Sequence, residues 1–145
     1  WLILRGMRTL QVRMRAHESN GLALAHWLQE RPEVARVIHP ALASHPQHAL
    51  WKRAFLGASG LFSFELRAAS MSQVHALCDR RRHFRLGFSW GGFESLLMPA
   101  NLAGLRTAVP WEGGPLVRLH AGLDDPGALL RDLDAGFAAM AAAGR

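Results

Sequence analysis

The 145-residue sequence predicts an α+β domain in which a small, largely antiparallel sheet carries its helices packed on one side. Three observations lead there. Apolar residues recur at spacings of three and four near both ends of the chain, as a helix with one buried face requires. Between them, short runs alternate apolar and polar residues with the period of two expected of a half-buried strand. The patterns succeed one another as helix, strand, helix, strand, helix, strand, strand, helix. No internal repeat, low-complexity tract or linker interrupts them, so residues 1–145 are expected to form one domain.

From about residue 3 to 31, Leu10, Met14, Leu24 and Leu28 mark the apolar stripe of one long helix. Pro32 ends it, because proline disfavours helical backbone in the residue before it. Val34 to Ile38 is a short strand stopped by His39-Pro40, and a loop through Pro46 leads into a short helix from His48 to Phe55. Gly57 and Gly60 frame a turn, after which Phe62, Phe64 and Leu66 alternate with Ser63, Glu65 and Arg67. Met71, Val74, Leu77 and Cys78 form one helical face. Phe84, Leu86 and Phe88 then define a third strand that delivers its end at Ser89. The stretch from Gly91 to about Trp111 follows neither period. Leu116 to His120 is a fourth strand, and Asp125-Pro126 is a helix start, with a capping acceptor followed by proline in the first turn.

Composition narrows the classes of function. No apolar run approaches the ~20 residues of a membrane-spanning helix, and Trp1-Leu2-Ile3-Leu4 is followed at once by Arg5, unlike a signal peptide. The first residue is Trp1 rather than methionine, which suggests a cut through a longer protein. The single cysteine, Cys78, excludes an internal disulfide and a cysteine-cluster zinc site and fits a cytoplasmic origin. A net charge of +6 raises nucleic-acid binding. Lysine occurs only at Lys52, however, and the arginines are scattered apart from Arg80-Arg81-Arg82, so biased codon composition accounts for the charge more simply. The eight histidines share no ligand-like spacing beyond a loose cluster at His39, His45 and His48, and no metal is expected.

Phosphate loops, zincin motifs, serine-hydrolase elbows and EF-hand loops are all missing. Two segments carry chemical promise. The first runs from Phe88 to Ser95: Gly91-Gly92 lets backbone approach a ligand or adopt positive φ, with the Ser89 hydroxyl and the Trp90 ring beside it. A tight turn with a packing tryptophan is the reading that pattern alone favours. The second is Arg118, an arginine inside an otherwise apolar strand, whose planar fork suits a carboxylate. A snorkelling arginine at a sheet edge, or a structural ion pair, is the alternative. Lys52, beside Arg53 on a helix, belongs to a solvated face.

Four stretches together resemble the cystathionine β-lyases of the Cys/Met-metabolism pyridoxal-phosphate (PLP) family. They are Arg5 to Leu10, Trp51-Lys52-Arg53 with Gly57 to Phe64, Ser89 to Ser95, and Leu116 to Leu123, in family order across nearly the whole chain. Trp90, where γ-synthases and γ-lyases usually carry leucine, points to the β-lyase branch. The resemblance implies the small C-terminal domain of a fold type I PLP enzyme, with residues 1–31 as the helix leading from a missing large PLP-binding domain. It implies α,β-elimination of L-cystathionine to homocysteine, pyruvate and ammonia, the transsulfuration chemistry of methionine biosynthesis, and a homotetramer for the full-length protein.

By the same likeness Arg118 binds the substrate α-carboxylate, Ser89 lies against that carboxylate and the cofactor-bearing lysine, and Trp90 lines the pocket. Phe88 stands where the family often has tyrosine. Lys52 matches a family lysine that is not the Schiff-base residue, so no cofactor-binding residue is expected here and the isolated chain is expected to be inactive. Another carbon–sulfur lyase of the family (a cysteine desulfhydrase or γ-lyase) is the rival activity. A basic nucleic-acid-binding module and a pure assembly domain are the rivals outside enzymes.

Overall fold

The structure is a computed structural model that describes residues 1–102, 105 and 108–145. Its elements are α1 (Leu2–Met7), α2 (Leu10–Gln29), β1 (Val34–Ile38), α3 (His48–Ala54), β2 (Leu61–Leu66), α4 (Met71–Cys78), β3 (Phe84–Arg85), β4 (Ser95–Ala100), β5 (Leu116–His120) and α5 (Pro126–Ala142). The strands form one sheet in the order β1-β2-β5-β4-β3, antiparallel throughout except where β3 meets β4.

The period-two pattern of β2 does what it predicts. Phe62, Phe64 and Leu66 are buried, while Leu61, Ser63 and Glu65 are only half-buried on the other face. Val117 and Leu119 of β5 and Leu97 of β4 join the buried set. Leu24 and Leu28 of α2, Val74 and Leu77 of α4, and Leu129, Leu133 and Phe137 of α5 close over them, so the helices cover one face of the sheet. Each such side chain taken from water contributes about 1.5–3 kcal/mol. The helices are capped as their sequences suggest. Asp125 accepts the Ala128 N–H at 2.8 Å, and Ser70 with Gln73 forms a reciprocal capping box ahead of α4.

Three expectations need correction. The helix expected over residues 3–31 is two helices, broken at Arg8-Thr9, where Thr9 leaves helical backbone (φ −106°, ψ 4°). The Thr9 hydroxyl donates to the Gly6 carbonyl at 3.3 Å, an alternative to the helical ladder in a segment already weakened by glycine. The third strand ends at Arg85 rather than Ser89, because β4 supplies partners only for Phe84 and Arg85. Leu86 and Phe88 are exposed, so their alternation has no sheet to serve. A fifth strand, β4, lies inside the stretch that showed no period. Ser95, Leu96 and Leu97 are all buried, which erases the alternation by which a strand is recognised. Its proline, Pro99, lies beyond the reach of the two-residue β3, where β4 has only β5 beside it.

The parallel pairing of β3 with β4 shapes the site. Parallel neighbours ordinarily need a crossover of a dozen or more residues. Here residues 86–94 must turn the chain round alone, which the brevity of β3 permits.

Candidate functional site

Arg118 occupies the middle of β5, the central strand of the sheet, with Ser63 of β2 and Met98 of β4 as its register partners. Its neighbours Val117 and Leu119 face the helices, so alternation sends Arg118 to the opposite, open face. Neither bland explanation of the residue survives. The strand is not an edge, and among the described residues no carboxylate pairs with it. Among the described residues its guanidinium donates to carbonyls at the long limit of hydrogen bonding. Nη1 donates to Gly87 O at 3.4 Å and Ser89 O at 3.5 Å, and Nη2 to Ser89 O at 3.4 Å. The Phe88 ring lies 5.8 Å from the guanidinium carbon.

The 86–94 link therefore wraps around the arginine. Gly91 turns it with φ +78°, a backbone state that a side chain would strain. Phe88, Trp90 and Phe93 project into solvent, 75%, 57% and 69% exposed. Ser89 is brought beside Arg118 through its main-chain carbonyl. Trp90 points elsewhere, lining a cleft of about 840 Å³ with Met14 of α2, Trp51 of α3, His39 and Phe55; Arg118 is not among its walls.

Behind the link sits a polar layer that sequence patterns did not single out. Arg13 Nε donates to Gly91 O at 3.0 Å, His17 Nε2 to Gly92 O at 2.9 Å, and Gly91 N–H to His120 Nε2 at 3.1 Å. Ser95 Oγ donates to Asp124 Oδ2 at 2.7 Å and accepts the Gly122 N–H at 3.0 Å; Asn20 Nδ2 donates to the carbonyls of Gly122 and Asp124, each at 3.0 Å. Gly122 makes the approach possible, since a Cβ there would lie 2.3 Å from Phe93 O. On the incoming side, the Asp132 carboxylate accepts the backbone N–H groups of Arg82, His83 and Phe84 at 3.0, 2.7 and 3.1 Å. Burial alone would raise its pKa, but those three donors reverse the sign and hold it below the usual range.

Some of these residues left a trace in the sequence. His17 and Asn20 continue the buried stripe of α2 at helical spacing, ahead of Gly21, Leu24 and Leu28, so they are polar groups at core positions. His120 follows Arg118 by two, on the same strand face. The clustered histidines His39, His45 and His48 contact local backbone. His39 Nδ1 accepts the Ala41 N–H at 3.2 Å, His45 Nδ1 the Gln47 N–H at 3.2 Å, and His48 Nδ1 lies 3.1 Å from Pro40 O. Among the described residues no group of three or more His, Cys, Asp or Glu is placed to hold a metal, and no helix is long and apolar enough to cross a membrane. The Cys78 thiol is buried and pushed up to about 12, far from nucleophilic. Three of the arginines are engaged locally: Arg31 pairs with Glu33 and Asp134, Arg36 with Glu65, and Arg67 Nε donates to Pro32 O.

The fold and the polar surroundings of this mid-sheet arginine are matched by comparison with known proteins at the level of the family. Residues 1–138 match the Cys/Met metabolism PLP-dependent enzymes, and the chain belongs to that family. It is 46% identical over 143 residues to cystathionine beta-lyase MetC of Escherichia coli (strain K12), covering 95% of this chain and 36% of the relative. It is 39% identical to an L-alanine/L-glutamate racemase of Wolbachia pipientis wMel, covering 97% of this chain and 36% of the relative. A crystal structure of cystathionine gamma synthase from Xanthomonas oryzae pv. oryzae in complex with cystathionine superposes with a TM-score of 0.83 at 38% identity, covering 97% of this chain and 38% of that one. The chain thus spans little more than a third of the length of the curated relatives it matches.

The family is PLP-dependent, but the residues described do not make a PLP site. A Schiff-base lysine must stand in a pocket against the cofactor. Lys52 is exposed on α3, a helix with no buried residue. What the chain offers is a partly exposed arginine in mid-sheet.

Proposed function

We propose that residues 1–145 form one domain of a PLP-dependent carbon–sulfur lyase, in which Arg118 grips the α-carboxylate of an amino-acid substrate. The observation that carries this reading is the partly exposed guanidinium, mid-sheet and without an acidic partner among the described residues. Two parallel N–H···O bonds from such a fork fix the carboxylate plane, and with it the direction of the Cα–H bond. Ser89 adds polar contact beside that carboxylate, and Trp90, which lines a separate cleft, is assigned no contact with it.

PLP supplies the electron withdrawal that renders an amino-acid Cα–H acidic, and in this reading it is held by protein outside residues 1–145. The reaction is α,β-elimination: L-cystathionine and water give homocysteine, pyruvate and ammonia, a transsulfuration step of methionine biosynthesis. Trp90 and the β-lyase relatives favour it over the γ-lyase or cysteine desulfhydrase alternative. A cytoplasmic homotetramer is the assembly we infer for the full-length protein.

In the PLP-loaded protein carrying this chain, Arg118→Leu should lower kcat/KM for cystathionine roughly 100-fold, mostly through KM, with Arg118→Lys intermediate. A fall of less than about threefold would sink the carboxylate assignment. Rates on cystathionine, cysteine and methionine decide among the lyase activities. The 145-residue chain alone should show no lysine-dependent PLP absorbance; a band abolished by Lys52→Ala would overturn that part.

A further inference from the structure

The two imidazoles beneath the glycine turn have a polarity that their partners dictate. A carbonyl can only accept, so His17 Nε2, 2.9 Å from Gly92 O, carries its proton. A backbone N–H can only donate, so His120 Nε2, 3.1 Å from the Gly91 nitrogen, is bare and its proton sits on Nδ1. The rings meet edge to face, with centroids 4.9 Å apart, and both are buried, at 0% and 1% exposure. Two adjacent histidines in opposite tautomers thus hold a carbonyl and an amide of consecutive glycines, while Arg13 takes the remaining carbonyl.

This arrangement is poor as mere packing. Both Nδ1 atoms are buried without a hydrogen-bond partner, a desolvation cost that a phenylalanine at either position would avoid. What the imidazoles add is direction. The link they hold has left the sheet at Arg85 and has no ladder to locate it. Its other end carries the Ser89 carbonyl that touches the Arg118 guanidinium, and the exposed Trp90 ring.

We propose that Arg13, His17 and His120 are positioning residues that clamp the Gly91–Gly92 segment and thereby set Ser89 and the Arg118 guanidinium for the substrate carboxylate. The clamp is a property of this chain; what it positions rests on the carboxylate reading of Arg118.

The unmodified chain provides the first test. Nitrogen-15 NMR of the 145-residue protein near neutral pH should show His17 protonated at Nε2 and His120 protonated at Nδ1 only; the reverse tautomer at either ring overturns the proposal. His120→Phe keeps a ring of similar bulk but no acceptor. It should preserve the far-ultraviolet circular dichroism, speed Gly91 amide exchange about tenfold and shift the Trp90 emission. His120→Gln, which returns an acceptor near the Nε2 position, should restore both. If His120→Phe moves neither signal, or if glutamine restores neither, the ring is only packing and the clamp is wrong.

In the PLP-loaded protein carrying this chain, His120→Phe should raise KM for the amino-acid substrate about tenfold and lower kcat less. The two ideas fail separately. If Arg118→Leu leaves substrate binding intact while His120→Phe frees the Gly91 amide, the clamp stands and the carboxylate reading falls. If Arg118→Leu abolishes binding while His120→Phe leaves the amide protected, the reverse holds.

Discussion

The two faces of the sheet are built on opposite terms. Toward the helices, Phe64, Leu66, Leu97, Val117 and Leu119 are sealed under α2, α4 and α5, where a volume-conserving apolar swap usually costs under about 1.5 kcal/mol. On the other face Arg118 stands among half-buried Ser63 and Met98, with exposed aromatic residues at its margin. The first face sets whether the chain folds. The second is arranged around a partly exposed arginine whose contacts are long. Stability and recognition are thus separated by the one-residue alternation of β5.

The separation can be broken in stages. Phe64→Ala, at the centre of the sealed face, should cost about 4 kcal/mol in chemical denaturation, through lost burial and the cavity left behind. Acid should act next, through the buried histidines. Burial, with His17 and Arg118 nearby, depresses the pKa of His120 to about 4, and burial lowers those of His17 and His39 as well. These groups bind protons more readily unfolded, so stability is full above about pH 6.5 and falls as pH drops toward 4. His120 alone accounts for about 3 kcal/mol of that loss. Denaturation midpoints between those pH values measure it, and His120→Phe should flatten the slope.

Smaller still, Asp125→Ala should remove the cap of α5 for about 1 kcal/mol. Arg118→Leu should change stability by less than about 0.5 kcal/mol, because its carbonyl contacts are long and its site is open. A loss near that of Phe64→Ala would show that Arg118 belongs to the fold and not to the site.

The strand β2 and the helices α4 and α5 were legible because each buries one side only, and one-sided burial writes its period into the chain. β4 was not, since its first three residues are buried on both sides. The break at Arg8-Thr9 escaped for another reason: a hydroxyl reaching the Gly6 carbonyl is a local competition that a periodic stripe does not register. Within the site, Arg118, Ser89 and Trp90 stood out as chemistry in unexpected places. The structure joins the first two and directs Trp90 to a different cleft. Arg13, His17 and His120 looked like ordinary helix and strand residues, because each gains its role from a glycine about thirty or more positions away.

The sequence by itself determined the fold class, most of the elements and the residue suited to a carboxylate, since these depend on short-range periodicity and on the chemistry of single side chains. Its motifs also carried the family. Only the tertiary structure decided that β5 is the central strand, which removes the edge explanation for Arg118. It alone decided that a short parallel link doubles back over that arginine, and that two buried imidazoles of opposite tautomer hold the link. Those facts depend on contacts between distant segments, and hydrogen-bond direction is set by the partner a group meets.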